Sequence, residues 1–245
     1  MTRMSDLRSI DCNACPIRHR AVCARCDAAE LDQLAAIKTY RSYSAGAQIM
    51  QRGAVVGFVA SVVTGVVSLS KTLEDGRIQT VGLLLASDFI GRPERDVIDF
   101  DVTATTDVVL CCFERRRFKA MLEHTPHLSH RLLEMTMDEL DAAHNWMLLL
   151  GRKTARERLA SFFELLALRA QPAPAAGLIP RVELPLSREE TANYLGLTVG
   201  TVSRQLSRLK AQGILEFHDR RHFSVLDRAG LQAASGSDAK MSPTF

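Results

Sequence analysis

The sequence predicts an α+β chain made of an antiparallel β-roll, one long helix and a winged helix-turn-helix, in that order. Three observations predict this class. Short β-branched runs separated by glycines fill the first half, an apolar stripe at helical spacing follows, and two helical segments then flank a tight turn. The predicted parts are a cysteine-rich segment (1–30), the β-roll (31–120), the long helix (121–152), the helix-turn-helix domain (153–235) and a flexible tail (236–245).

Composition excludes several classes of protein. Of the 245 residues 24% are charged, and the formal net charge of +3 permits nucleic-acid binding without requiring it. The N-terminus lacks the apolar region of a signal peptide, and no apolar run reaches the roughly 18 residues of a membrane helix. We therefore expect a cytoplasmic protein without a membrane partner. The sequence shows no nucleophile–base pair, phosphate loop or acid pair in a recognisable frame, so no enzyme is predicted.

Cysteines are concentrated near the N-terminus. The set is Cys12, Cys15, Cys23, Cys26, Cys111 and Cys112. In a reducing cytosol such close spacing is more typical of metal binding than of stable disulfides. The first four form a self-contained C-x2-C-x7-C-x2-C pattern that could hold zinc, although its seven-residue spacer is short for a zinc site. Spacing alone leaves zinc and an iron–sulfur cluster open.

Short strands and turn signals run through residues 39–118. β-branched and apolar residues dominate 62–69, 80–84 and 102–113, and the last of these reads as one strand or two. Asp75-Gly76 is a strong hairpin signal. Many short strands at regular spacing predict an antiparallel roll or barrel.

A long helix follows, from about His127 to Leu150. One stripe along it, at the a/d spacing of a coiled coil, consists of Leu133, Met137, Leu140, His144 and Met147. Such a stripe is also typical of a helix that packs on its own domain. Its position between a β domain and an α domain favours pairing of two subunits, so we expect a homodimer through these side chains.

Less distinctive segments complete the chain. A second helix is predicted from Thr154 to Arg169, where apolar residues recur at helical spacing. The proline- and alanine-rich stretch 171–177 predicts a loop. The residues after Leu231 are small and polar, and we expect them to fray.

Residues 186–217 have the pattern of a helix-turn-helix. Ser187 caps a first helix, Gly196 makes the tight turn, a second helix runs from 199 to 212, and 214–225 reads as a two-strand wing. The second helix exposes Thr201, Ser203, Arg204, Gln205, Ser207 and Arg208. An ordinary αα-hairpin with solvated arginines is the simpler alternative. The turn, small core and wing together favour a DNA-binding unit.

Four stretches carry a family resemblance. They are Tyr194-Leu-Gly-Leu-Thr-Val-Gly-Thr-Val-Ser-Arg204, Gly65-Val-Val-Ser-Leu69, Asp75-Gly-Arg77 and Ser87-Asp-Phe-Ile-Gly91. The first resembles the DNA-reading motif of the CRP/FNR transcription regulators. The others resemble that family's β-roll effector domain, a jelly roll of the cyclic-nucleotide-binding type. The Cys-x-x-Cys-x7-Cys pattern, the cysteine near 111 and Met147-Leu-Leu-Leu-Gly-Arg-Lys153 resemble the FNR branch, in particular FnrL/FnrN-like oxygen-responsive regulators.

The resemblance implies a cofactor. In the FNR branch three N-terminal cysteines and one roll cysteine hold a [4Fe–4S] cluster, so one cluster is expected per subunit. By position the ligands are Cys12, Cys15, Cys23 and Cys111. Cys26 could replace Cys23, and Cys112 could replace Cys111, but neighbours on a strand point to opposite faces. The resemblance implies that an intact cluster favours the dimer, and that oxygen destroys the cluster and so weakens the dimer. The alternative is a CRP-type regulator with structural zinc and a different effector.

The resemblance also implies partners, namely palindromic double-stranded DNA of the FNR-box type and RNA polymerase. By position the DNA-contacting residues are Thr201, Ser203, Arg204, Arg208 and Lys210. Arg204 would pair with a guanine, while Arg208 and Lys210 would contact phosphates. The family usually has Glu at position 200, where this chain has Gly200. Because glycine cannot accept a hydrogen bond from cytosine, we expect relaxed discrimination at one base pair of each half-site.

A cyclic nucleotide is not expected as a partner. The Arg-Ser-Ala phosphate cradle found in cyclic-nucleotide sites of this superfamily is missing from residues 89–104. Asp99 and Asp101 in that stretch would repel a phosphate.

Overall fold

The computed structural model describes residues 11–170 and 179–236. The chain forms two compact units, divided between Met137 and Asp138. Residues 1–10 of the cysteine-rich segment, the predicted loop at 171–177 and the tail from 237 onward lie outside the described residues.

The N-terminal unit contains the predicted antiparallel β-roll. Its strands are β1 (Lys38–Tyr43), β2 (Gln48–Met50), β3 (Phe58–Thr64), β4 (Val67–Thr72), β5 (Ile78–Leu84), β6 (Phe89–Ile90), β7 (Asp101–Ala104) and β8 (Val108–Glu114). They form two four-stranded sheets, ordered β1-β8-β3-β6 and β2-β7-β4-β5, with antiparallel pairing throughout. Side chains of both sheets, among them Val62, Val67 and Leu110, form one buried core. The predicted roll is confirmed.

Gly65 divides the apolar run 62–69 into two strands. Its φ is +85°, and a Cβ at this position would lie 2.2 Å from the carbonyl oxygen of Asp107. Only glycine fits this turn between β3 and β4, because any side chain would collide with the neighbouring backbone. The run 102–113 is likewise divided, into β7 and β8.

Helix α1 (Ala28–Ile37) precedes the roll and adds to the elements predicted above. It begins with a capping box, in which the Asp27 side chain accepts from the Glu30 N–H and the Glu30 side chain accepts from the Asp27 N–H. Residues 11–27 form short turns, including a 3-10 turn at Cys12–Ala14. The cysteine-rich segment thus leads directly into α1.

The predicted helix at 121–152 is divided in two. Helix α2 (Arg115–His124) ends before Thr125, and α3 (Pro126–Arg152) begins one residue later. Proline restricts the residue before it to extended backbone, and Thr125 has φ −123° and ψ 86°. Assigning 121–124 to the long helix is therefore wrong, whereas the helix from about His127 to Leu150 is confirmed.

The C-terminal unit contains the winged helix-turn-helix. Its elements after α3 are α4 (Ala155–Arg169), β9 (Val182–Glu183), α5 (Arg188–Leu195), α6 (Val199–Ala211), β10 (Leu215–Phe217), β11 (His222–Val225) and α7 (Arg228–Ser235). The helix predicted from Thr154, the two helices of the turn motif and the wing strands are confirmed. Strand β9 was not predicted and extends the wing to the order β10-β11-β9.

Helix α7 corrects the expected fraying for residues 232–235. Leu231 and Ala234 are buried, and the Ser161 hydroxyl of α4 donates to the Ser235 carbonyl oxygen at 3.4 Å. Because its residues are small, the sequence of α7 lacks a strong apolar pattern of a helix. The same small residues allow close packing on α4.

Among the described residues, none of the helices has both the length and the apolarity that a bilayer crossing requires.

Candidate metal site and nucleic-acid interface

Cys111 and Cys112 lie on opposite faces of β8, as expected for neighbours on a strand. Cys112 is 1% exposed and belongs to the core between the two sheets. Cys111 belongs to a second apolar cluster, which also contains Ile17 and Val22 of the cysteine segment. In the strand register Cys111 lies opposite Tyr40 of β1. Only Cys111 therefore faces the N-terminal cysteines.

Three N-terminal cysteines approach Cys111. Cys12, Cys15 and Cys23 all pack against the apolar cluster that contains it. Burial raises the pKa of Cys111 far above its ordinary value, and the charges of Cys15 and Cys23 raise it further. Burial also raises the pKa of Cys23 to about 11, with contributions from Cys15 and Cys12. These mutual effects show that the four predicted ligands lie within electrostatic reach of one another.

Cys26 has a different environment. It is buried inside the same apolar cluster, at 4% exposure. Burial raises its pKa to about 12, and the next causes are the charges of Glu30 and Cys23, while Cys111 is not among the principal causes. Cys23 is therefore better placed than Cys26 to share a site with Cys111.

No three cysteine sulfurs of the described residues lie within 4.8 Å of one another. Tetrahedral zinc at about 2.3 Å from each sulfur holds its ligand atoms about 3.8 Å apart. Among the described residues, the one trio of potential ligand atoms within 4.8 Å of one another is Asp27, Glu30 and His127. That trio is explained by the capping box and by a 3.0 Å hydrogen bond between Glu30 and His127. A cubane suits a wider set of sulfurs, because each of its four irons binds its own thiolate.

Two cationic side chains border the cysteines. Lys38 Nζ lies 3.2 Å from Cys12 Sγ. Arg18 donates from Nη2 to the Cys26 carbonyl oxygen at 3.1 Å, and its Nε is buried without an acceptor in the described part of the chain. A buried donor without an acceptor is unfavourable, so it marks a place where an anionic group would be stabilised. The four cysteine sulfurs could serve as ligands of an iron–sulfur cluster, and this N–H group could donate a hydrogen bond to it.

The cysteine segment is tied to the first half of α3. Arg131 donates to the carbonyl oxygens of Arg20 and Ala21, at 2.6 and 3.4 Å. Glu134 pairs with Arg25 at 2.6 Å and with Arg131 at 3.2 Å. We call Arg25, Arg131 and Glu134 the Arg131–Glu134 network. It connects the loop between the cysteines to the helix that carries the apolar stripe.

That stripe is exposed. Leu133, Met137, Leu140 and Met147 are 59%, 52%, 46% and 62% exposed, and His144 is exposed as well. Leu148, at 52% exposure, adds to the surface and was not predicted. Several large apolar side chains along one helix are unfavourable in water, so the surface is typical of one that a partner covers.

Local sequence signals fix the helix-turn-helix. Ser187 and Glu190 form a capping box at the start of α5, and Gly196 ends that helix in the left-handed conformation, with φ 61°. The Thr198 side chain then caps α6 by accepting from the Thr201 N–H. These caps determine where α6 begins and therefore which of its side chains face outward.

The predicted DNA-contacting residues share helix α6. Val202, Leu206 and Leu209 form the buried side of the helix. Arg204, Arg208 and Lys210 are exposed, and Thr201 and Ser203 are half-buried. Arg204 Nη2 donates to Thr201 Oγ1 at 3.2 Å, which holds the guanidinium near the first turn of the helix. A helix N-terminus with basic side chains is an electropositive surface suited to a DNA groove.

The wing contains a charged cluster that sequence reasoning missed. Asp219 pairs with Arg181 at 2.5 Å and with His222 at 2.9 Å. The backbone N–H of Arg221, followed by the His222 side chain, lowers the pKa of Asp219 to about 2. Arg181 lies 38 residues before Asp219, so no local signal could have revealed this pairing. The cluster orders the wing turn and leaves Arg220 exposed.

Two family models match the chain. The Crp-like helix-turn-helix domain matches residues 157–234, and the cyclic nucleotide-binding domain matches residues 40–125. The matched segments coincide with the winged helix-turn-helix and with the β-roll together with α2.

Curated relatives match over nearly the whole chain. The chain is 54% identical to the transcriptional activator protein FnrL of Cereibacter sphaeroides, covering 93% of each chain. It is 35% identical to the nitrogen fixation regulation protein FixK of Bradyrhizobium diazoefficiens, covering 92% of this chain and 94% of that one.

Solved structures agree with these relatives. FixK2 from Bradyrhizobium japonicum superposes with a TM-score of 0.75 and 34% identity, covering 83% of this chain and 100% of the other. A CooA mutant from Carboxydothermus hydrogenoformans has a TM-score of 0.67 at 27% identity, covering 81% of this chain and 88% of the other. Fold, DNA-binding unit and relatives together show that the chain belongs to the CRP/FNR family of transcription regulators and is not an enzyme.

Proposed function

We propose that this regulator senses oxygen through one [4Fe–4S] cluster per subunit, held by Cys12, Cys15, Cys23 and Cys111. One observation carries the proposal: three N-terminal cysteines converge on Cys111, across a sheet face from which Cys112 is excluded. Two observations support a cluster over a single zinc ion: no three sulfurs of the described residues lie within 4.8 Å of one another, and the Arg18 Nε is buried without an acceptor among those residues.

The chain's own residues give the site its properties. When bound, the cluster would supply a centre that oxygen can oxidise. The thiols of Cys23 and Cys111 have raised pKa values, so the folded protein without metal holds them protonated, and they must lose protons on loading. Loading would hold the cysteine segment against β8, and the Arg131–Glu134 network would keep that segment against α3.

We further propose that the stripe on α3 forms a homodimer. Two subunits would place two α6 helices about one DNA turn apart, roughly 34 Å, and so read a palindrome of the FNR-box type. In this arrangement Arg204 and Ser203 contact bases, while Arg208 and Lys210 contact phosphates. RNA polymerase is the expected protein partner, and the cytoplasm the expected location.

The proposed effector is not a cyclic nucleotide. Residues 89–104 contain four acidic side chains and two arginines, and Arg95 already pairs with Asp99 at 3.2 Å, while Asp96 pairs with Arg115 of α2 at 2.5 Å. This charge balance gives little attraction for a phosphate.

Anaerobic purification tests the proposal. We expect about four irons and four acid-labile sulfides per chain, with a brown charge-transfer absorption that disappears in air. Promoter-fragment binding should be lost together with the colour. A colourless protein with one zinc per chain, binding DNA equally well with and without air, would contradict the proposal and favour a structural zinc.

A further inference from the structure

The candidate metal site would carry net negative charge in an apolar setting. Four thiolates around a [4Fe–4S]2+ core are doubly negative, and Cys111 itself is 8% exposed. Negative charge in such surroundings is unfavourable unless cations or hydrogen-bond donors lie nearby. This negative charge is that of the cluster in the proposed function, and two cations, Lys38 and Arg18, border the cysteines.

Lys38 reaches the site because of its place in the fold. Lys38 caps the C-terminal end of α1, where its N–H donates to the Leu34 carbonyl oxygen, and it is the first residue of β1. In the register of β1 with β8, Lys38 and Tyr40 lie opposite Phe113 and Cys111, so they share the face that carries Cys111. Its ammonium lies 3.2 Å from Cys12 Sγ, within the range of a charge-assisted hydrogen bond to sulfur.

Arg18 reaches the site from the cysteine segment itself. Its N–H donates to the Cys15 carbonyl oxygen at 3.1 Å, and its guanidinium donates to the Cys26 carbonyl oxygen at 3.1 Å. These two bonds fix both ends of the residue. The buried Nε–H that has no acceptor is therefore held in place, available to a sulfur atom of the site.

We propose that Lys38 and Arg18 are the charge-balancing residues of the thiolate site and determine how easily its cluster is oxidised. Lys38 neutralises the Cys12 thiolate, and Arg18 supplies an N–H donor from within the cysteine segment. A cation stabilises the more negative of two charge states, so it opposes transfer of an electron from the site to dioxygen. Removing that cation makes the transfer easier and the site shorter-lived in air.

Lys38→Met tests this inference, because methionine keeps the chain length but lacks the charge and the donor. We expect the anaerobically purified variant to contain wild-type iron and sulfide, to have a lower midpoint potential, and to bleach about tenfold faster in air-saturated buffer. Lys38→Arg should restore a rate within about twofold of wild type. Lys71→Met, on the other sheet, is the matched control and should bleach at the wild-type rate.

Arg18→Lys provides a second test, since it keeps the charge but removes Nε. It should bleach faster than wild type, but less so than Lys38→Met. If Lys38→Met and Arg18→Lys both keep the wild-type potential and bleaching rate, the inference is overturned while the proposed function stands. If wild-type protein contains no iron–sulfur cluster, the proposed function itself fails. If Lys38→Met holds little iron while Lys38→Arg is fully loaded and both have wild-type circular dichroism, the charge requirement is supported.

Discussion

Two adjacent cysteines show how one strand position separates chemistry from packing. Cys111 and Cys112 are identical residues in sequence terms, yet only Cys111 shares an apolar cluster with the N-terminal cysteines. The alternation of side chains along β8 accounts for the difference. At the residue scale, orientation rather than residue type selects the candidate ligand.

Alanine substitutions at this pair test the selection. We expect Cys111→Ala to lose most of its iron under anaerobic purification, because it removes one of four thiolates. Cys112→Ala should retain wild-type iron and lose only about 1 kcal/mol of stability, since a small buried side chain is shortened. Iron analysis and urea unfolding provide both measurements. Equal iron loss in the two variants would contradict the assignment.

Gly200 can be tested in the same way. It lies in the first turn of α6, without a positive φ, and a Cβ there would have no heavy atom within 4 Å. Gly200→Ala should therefore stabilise the protein by about 0.5–1 kcal/mol, visible as a higher Tm. Gly200→Glu should sharpen discrimination at one base pair of each half-site, because a carboxylate can accept from cytosine. Competition binding with DNA that carries each of the four bases at this position measures the discrimination. If Gly200→Glu discriminated among the four bases no better than wild type, the expectation of relaxed discrimination at Gly200 would be contradicted.

At the scale of elements, the cysteine segment has few regular hydrogen bonds and depends on side chains for its position. Its turns are closed by bonds such as Ala24 N–H to the Ala21 carbonyl oxygen and Cys26 N–H to the Cys23 carbonyl oxygen, 3.0 and 3.1 Å. The apolar cluster and the Arg131–Glu134 network attach these turns to α1, β8 and α3. The position of this segment therefore depends on side-chain contacts more than on backbone hydrogen bonds.

Arg131→Gln should loosen the cysteine segment. The lost charge-assisted bond to the Arg20 carbonyl oxygen contributes about 1.5 kcal/mol, so the amides of Ala24 and Cys26 should exchange roughly tenfold faster. Hydrogen exchange with mass spectrometry on the metal-free protein measures this directly. Arg117→Gln, at an exposed ion pair on α2, is the control and should leave these amides unchanged. Identical exchange in both variants would argue against the network.

At the scale of the whole molecule, the exposed stripe on α3 argues for an assembly larger than one chain. Leu140→Glu should weaken the proposed dimer about a hundredfold or more, because it places a charge in the apolar stripe that would form the interface. Since Leu140 is 46% exposed, the stability of the single subunit should change by no more than about 0.5 kcal/mol. Sedimentation at micromolar concentration measures the association. Leu168→Glu, at a similarly exposed position on α4, should leave it intact.

The buried thiols predict how stability depends on pH. Burial raises the pKa of Cys26 and Cys112 to about 12, from an ordinary value of 9.0. A thiol whose pKa is higher when folded stabilises the fold below pH 9.0, and this stabilisation is lost as pH rises toward 12. The metal-free protein should therefore show a falling urea midpoint above about pH 9, and Cys112→Ala should show a shallower fall. A midpoint independent of pH between 8 and 11 would contradict this.

The sequence by itself determined the roll, the long helix and the helix-turn-helix. Their signals are local: glycine turns, β-branched runs, capping residues and an apolar stripe. The helix break before Pro126 was missed because the helical pattern of apolar residues continues across it. Helix α7 was missed because its small residues resemble a flexible tail, and only their packing stabilises the helix. Only the tertiary structure decided which cysteines converge, that Lys38 and Arg18 border them, and that Arg181 pairs with Asp219. These contacts join residues distant in sequence, and strand register, burial and charge pairing arise only when the chain has folded.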